Sequence, residues 1–114
     1  MSFQLKVSTI HGVGVFALTK FKKGESLELF EKEDYRFIKS EDIKRDKINL
    51  TLIENYTIPD NDGYHAPKNF SCMSVGWFLN HSDDPNATFD ENYDYFALKN
   101  ILPNEEITIN YDDL

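Results

Sequence analysis

A chain of 114 residues is long enough for one buried core and too short for two, so residues 1–114 are expected to form a single domain. Hydrophobic residues at 40% exclude a mostly disordered chain, and a formal charge of −8 argues against direct nucleic-acid binding while suiting a Lys/Arg-rich protein partner. The lone cysteine, Cys72, excludes an internal disulfide and a cysteine-based zinc cluster, and it is expected to be a small buried hydrophobe.

No long apolar run follows the N-terminal residues, and no later segment reaches the length needed to span a bilayer. The chain is therefore expected to be soluble and intracellular, cytoplasmic or nuclear, with no membrane partner. On that expectation Asn80-His81-Ser82 and the other N-x-Ser/Thr matches are chance occurrences rather than glycosylation sites.

At the N-terminus Phe3, Leu5 and Val7 alternate with Gln4, Lys6 and Ser8, the period of a half-buried strand. His11-Gly12-Val13-Gly14 follows and leads into apolar residues 15–18. Two glycines around a β-branched residue fit a tight turn or bulge between strands. They also fit a place where missing side chains let backbone N–H groups approach a ligand. With no third glycine and no helical pattern behind it, a dinucleotide-binding loop is excluded.

Lys22-Lys23-Gly24-Glu25 reads as a turn and residues 26–31 as a strand. Residues 40–56 are the best helix candidate, with Ser40 as cap, Glu41 and Asp42 in the first turn, and Ile43, Leu50 and Ile53 near helical spacing. Asn49 and Thr51 weaken it. Tyr56-Thr57-Ile58 reads as a short strand ending at Pro59. Asp60-Asn61-Asp62-Gly63 invites a calcium-loop reading, but the first and last ligand positions would be Ile58 and Asn69, so a hairpin turn is expected. Residues 87–89, 93–99 and 105–111 each read as strands. The expected fold class is mainly β (α+β), several short sheets with one or two short helices.

The stretch Phe78-Leu79-Asn80-His81-Ser82-Asp83-Asp84-Pro85-Asn86 is harder to explain as packing. Taken alone it is a polar turn with Asp-Asp-Pro-Asn at its tip. Asn80, His81 and Ser82 also place donors and acceptors side by side, as the rim of a small-molecule site requires.

In order and spacing, four segments resemble the SET domain, the catalytic domain of many protein-lysine methyltransferases: His11-Gly12-Val13-Gly14-Val15-Phe16-Ala17, Lys23-Gly24-Glu25, Phe78-Leu79-Asn80-His81-Ser82-x-x-Pro85-Asn86, and Glu105-Glu106-Ile107-Thr108-Ile109-Asn110-Tyr111. The resemblance implies a SET-domain fold, with small sheets around a knot-like C-terminal crossing that brings the last segment beside Asn80 and His81. It implies S-adenosylmethionine as cofactor. It also implies Tyr111 as the active-site tyrosine, in contact with the cofactor as well. By the same likeness, the Asn80 amide meets the cofactor's amino-acid end and the His81 backbone meets its adenine. Gly12, Val13, Gly14, Val15 and Phe16 match the segment that holds its carboxylate and adenosine. Tyr56 is a candidate second tyrosine of the lysine channel, with core packing as the equal alternative. Phe89 and Ile109 match channel positions that tune methylation number, and since neither is a tyrosine, di- or trimethylation is favoured.

Methyl transfer from a sulfonium needs a neutral amine, whereas a free lysine has a pKa of about 10.4. An apolar, aromatic-lined channel lowers that value by desolvation and positions the amine. The chain departs from many relatives at Asp83, where they carry a zinc-ligating Cys, and it ends three residues after Tyr111. No zinc is expected. A substrate or a second copy must then close the channel, so a homodimer is expected. The expected function is a protein-lysine methyltransferase acting on a basic segment, such as a histone, histone-like or ribosomal protein. The alternative is a non-catalytic module that binds a basic partner, with or without cofactor. A hydrolase is disfavoured because Ser82 directly follows His81, so the two side chains diverge.

Overall fold

The computed structural model describes residues 2–114. In chain order the strands are β1 (Phe3–Val7), β2 (Val13–Ala17), β3 (Arg36–Lys39), β4 (Ile58–Asp60), β5 (Gly63–Ala66), β6 (Asn80–His81), β7 (Ala87–Phe89), β8 (Tyr95–Ala97) and β9 (Glu106–Ile109). Two α-helices, α1 (Ser40–Arg45) and α2 (Leu50–Tyr56), complete the regular structure with short 3-10 turns at Val75–Phe78 and Tyr111–Asp113. The chain divides into two compact units, residues 2–29 with 78–114, and Phe30–Trp77.

The first unit is built on a four-stranded sheet in the order β1-β2-β9-β6. The C-terminal strand β9 thus lies between β2, to which it is antiparallel, and β6, to which it is parallel. The last segment thus lies beside Asn80 and His81, as expected. Val15, Ile101 and Ile107 are fully buried, and a β7–β8 hairpin forms a second small sheet.

In two places in this unit the alternation gave only half of what it implies, burial without a strand or a strand without burial. Leu27 and Leu29 are buried as the alternation of residues 26–31 requires, but no strand forms there; the Leu27 N–H bonds the Tyr95 carbonyl and the Leu29 N–H turns back to the Leu27 carbonyl, both at 2.9 Å. In β1 only Phe3 is buried, stacked on Phe21, whereas Leu5 is 41% and Val7 85% exposed.

The second unit packs α1 and α2 on a sheet ordered β3-β5-β4, with Ile38, Ile43, Ile53 and Ala66 as its core. The single helix expected over 40–56 is two. Lys47 takes a left-handed φ of 56°, and the Asn49 side chain accepts the Thr51 N–H at 2.8 Å, so the residues that weaken a continuous helix are the cap of the second. Ser40 is the first helical residue rather than a cap. Tyr56 closes α2 instead of opening a strand. Pro59 lies inside β4, tolerated because β4 is an edge strand. The hairpin turn between β4 and β5 forms as expected, with Asn61 at φ 45°. Cys72 is exposed, contrary to expectation, in an irregular segment without apolar cover. No helix among the described residues is long and apolar enough to cross a membrane.

Asp34 clamps the irregular part of this unit. It accepts hydrogen bonds from the N–H groups of Lys68 and Ser74 at 2.9 and 2.7 Å and from the Trp77 indole at 3.2 Å. Partial burial pushes its carboxyl up, but these bonds and the Ser74 hydroxyl outweigh burial and hold it below the ordinary 3.8. Because the folded value is the lower one, the clamp stabilises fully above the unfolded value and is lost as pH falls through the folded value. Asp34→Asn is expected to lower stability at pH 7 by about 1–2 kcal/mol, with the difference from wild type shrinking on acidification. Chemical denaturation at pH 7 and at pH 3 measures both.

Candidate active site

Most of the residues singled out in the sequence meet where β9 lies against β6. Asn80 and His81 pair with Thr108 and Ile109, and the Ser82 N–H extends the pairing to the Ile109 carbonyl at 2.9 Å. A pair of two-residue strands holds poorly by itself. Side chains reinforce it. The Asn86 amide donates to the Glu106 carbonyl at 2.8 Å and accepts the Thr108 N–H at 2.9 Å, acting on β9 as another strand's backbone would.

Asn80 is buried, and its Nδ2 donates to the carbonyls of His11 at 3.0 Å and Val13 at 3.4 Å and to Glu106 Oε2 at 2.8 Å. One amide therefore joins the Gly12–Gly14 loop to the C-terminal strand. The two glycines serve different ends. Gly12 has a left-handed φ of 45° with open space around it, so its need is conformational. Gly14 has ordinary backbone, but a Cβ there would lie 2.2 Å from Glu106 Oε2. The room left by its missing side chain holds the Glu106 carboxylate, whose other oxygen accepts from the Ser8 hydroxyl at 2.6 Å.

Tyr111 follows β9 at the start of a 3-10 turn, capped by the Asn110 side chain on the Asp112 N–H. Its hydroxyl donates to the Leu79 carbonyl, and its N–H donates to His81 Nδ1 at 3.0 Å. Because a backbone N–H can only donate, Nδ1 of His81 accepts and Nε2 carries the proton, directed at Asp83 at 2.7 Å. Asp83, named in the sequence only for what it is not, steadies this ring. Partial burial, and then the charge of Glu106, raise the Tyr111 phenol above its ordinary value.

A shallow groove of about 1000 Å³ opens beside Gly14, walled by Leu5, Val7, Val13, Phe16 and Phe78 and by Lys6 and Glu106. Val13, at the exposed start of β2, and Phe16 thus line the groove, while Val15 is wholly buried in the core. Ile109 is buried on β9, and Phe89 stacks on Tyr93 with ring centroids 5.3 Å apart. Tyr56 belongs to the Phe30–Trp77 unit, half-buried at the end of α2. Glu106 and Asn86 were quoted in the sequence motifs without a role. The only signal for Glu106 was its place on the β9 face opposite the buried Ile107 and Ile109.

This geometry agrees with comparison to known proteins. The SET domain family model matches residues 12–112, and the chain belongs to that family. Among solved structures it is similar to a Plasmodium falciparum protein assigned provisionally as a histone methyltransferase, at 26% identity and a TM-score of 0.62 over 96% of this chain and 92% of that one. Comparison with curated proteins gives no significant match. SET methyltransferases use S-adenosylmethionine. The groove fits such a group in kind, with aromatic and aliphatic side chains beside a carboxylate and a lysine.

Gly14→Ala is expected to force the Glu106 carboxylate off Asn80 and Ser8 and to destabilise by about 1–3 kcal/mol. The loss should be markedly smaller in a Glu106→Ala background, because the clash is gone. Gly12→Ala should cost about 1–2 kcal/mol in either background. Thermal unfolding of the single and double variants reads this difference.

Proposed function

We propose that the chain is an S-adenosylmethionine-dependent protein-lysine N-methyltransferase acting on a basic protein segment. The observation that carries this reading is the pinning of Tyr111 to Leu79 and His81, next to an Asn80 amide that reaches the Gly12–Gly14 loop. When bound, the cofactor supplies an electrophilic methyl group. The protein's part is to orient the amine, keep water out and keep charges in place.

Tyr111 suits that part. With its proton committed to the Leu79 carbonyl, the phenol oxygen presents lone pairs that can accept from an amine N–H. Burial and the nearby Glu106 charge favour the neutral phenol, so no tyrosinate competes for the lysine's proton near neutral pH. The lysine must therefore lose its proton to solvent before transfer, helped by desolvation. In the single chain Tyr111 is 45% exposed, so the substrate, or a second copy of the chain, is proposed to complete the cover. The −8 charge supports a basic segment as substrate, of histone, histone-like or ribosomal type. Phe89 and Ile109 as channel residues, and Tyr56 as a second channel tyrosine, rest on the family likeness alone.

Transfer from a labelled methyl donor to basic proteins tests this. Wild type should label lysine, while Tyr111→Phe and Asn80→Ala should lower the rate on the order of 100-fold through lost positioning. Product binding without transfer to any lysine would favour a non-catalytic module that binds a basic partner instead.

A further inference from the structure

Two side chains of opposite charge stand on β1 and β9, one on each side of β2, on the Gly14 face without pairing with each other. Lys6 lies opposite Gly14 in the β1–β2 register, and Glu106 lies opposite Phe16 in the β2–β9 register. Residues two apart in a strand share a face, so Lys6, Gly14, Phe16 and Glu106 form one surface, and both charged residues line the same groove.

Each charge is held by neutral groups. The Glu106 carboxylate accepts from Ser8 Oγ and Asn80 Nδ2, and no lysine, arginine or histidine forms an ion pair with it among the described residues. An ionised carboxylate offers roughly four acceptor positions, and these two bonds leave the rest open. The Lys6 ammonium sits 4.5 Å from the Phe16 ring centroid, a cation–π placement, rather than on a carboxylate. A half-buried anion and a cation that line one groove without pairing are complementary in charge to a zwitterionic ligand that carries an ammonium and a carboxylate.

We infer that Glu106 receives the α-ammonium, and Lys6 the α-carboxylate, of the zwitterionic amino-acid end of the methyl donor. This inference rests on the methyltransferase reading above and assigns its charge recognition to side chains. Glu106 then has two tasks in one place, to fix the Asn80 amide and to neutralise the ligand's ammonium. Gly14 is glycine because that carboxylate needs the space.

Calorimetry with three ligands tests the assignment: S-adenosylhomocysteine, its desamino analogue and its decarboxylated analogue. Glu106→Gln should weaken S-adenosylhomocysteine and the decarboxylated analogue about tenfold and leave the desamino analogue unchanged. Lys6→Met, a change on an exposed side chain, should weaken S-adenosylhomocysteine and the desamino analogue and leave the decarboxylated one unchanged. Uniform losses across the three ligands for either variant overturn that residue's assignment and mark a structural effect. Failure of wild type to bind S-adenosylhomocysteine at all overturns the methyltransferase reading and this inference with it.

Discussion

The structure of the site depends on β9 being held between β2 and β6. The parallel half of that arrangement joins only Asn80–His81 to Thr108–Ile109, so backbone pairing alone is too short to fix it. Side-chain amides and a phenol make up the deficit. Asn86 bonds the backbone of β9 on both sides of Ile107, and Tyr111 bonds the residue before β6 and a residue within it. The residues that would do the chemistry are therefore the ones that hold the crossing together. Placement of Tyr111 and integrity of the C-terminal strand are one problem in this fold.

Glu106 is the second constraint. A carboxylate half out of water is costly unless it is bonded, and here a buried amide and a serine hydroxyl satisfy it without neutralising it. Its charge reaches the neighbouring phenol and raises the Tyr111 pKa after burial has done so. The same residue thus links the glycine loop, the amide of β6 and the tyrosine that follows β9.

The motifs made most of this legible. The order of the Gly-Val-Gly, Asn-His-Ser and Glu-to-Tyr segments pointed to the fold, and alternation located β1, β7, β8 and β9 within a few residues. Where the pattern misled, two structures shared one periodicity. Buried Leu27 and Leu29 look alike in a strand and in an irregular segment. Leu5 and Val7 continue Phe3's alternation past the edge of the core, where they wall a groove. Asn49 reads as a helix weakener when a helix is assumed to continue and as a cap when one begins. The role of Glu106 was out of reach, because it depends on the Cα of Gly14 and the amide of Asn80, both distant in sequence. The apparent opening at Gly14 likewise could not be known to be filled from within the chain.

Backbone amide shifts in a nuclear magnetic resonance titration with S-adenosylhomocysteine test most directly whether the β6–β9 crossing forms a methyl-donor site. The account predicts saturable changes concentrated at Val13, Gly14, Phe16, Asn80, His81 and Tyr111. Shifts confined to other residues, or none at millimolar ligand, would contradict it.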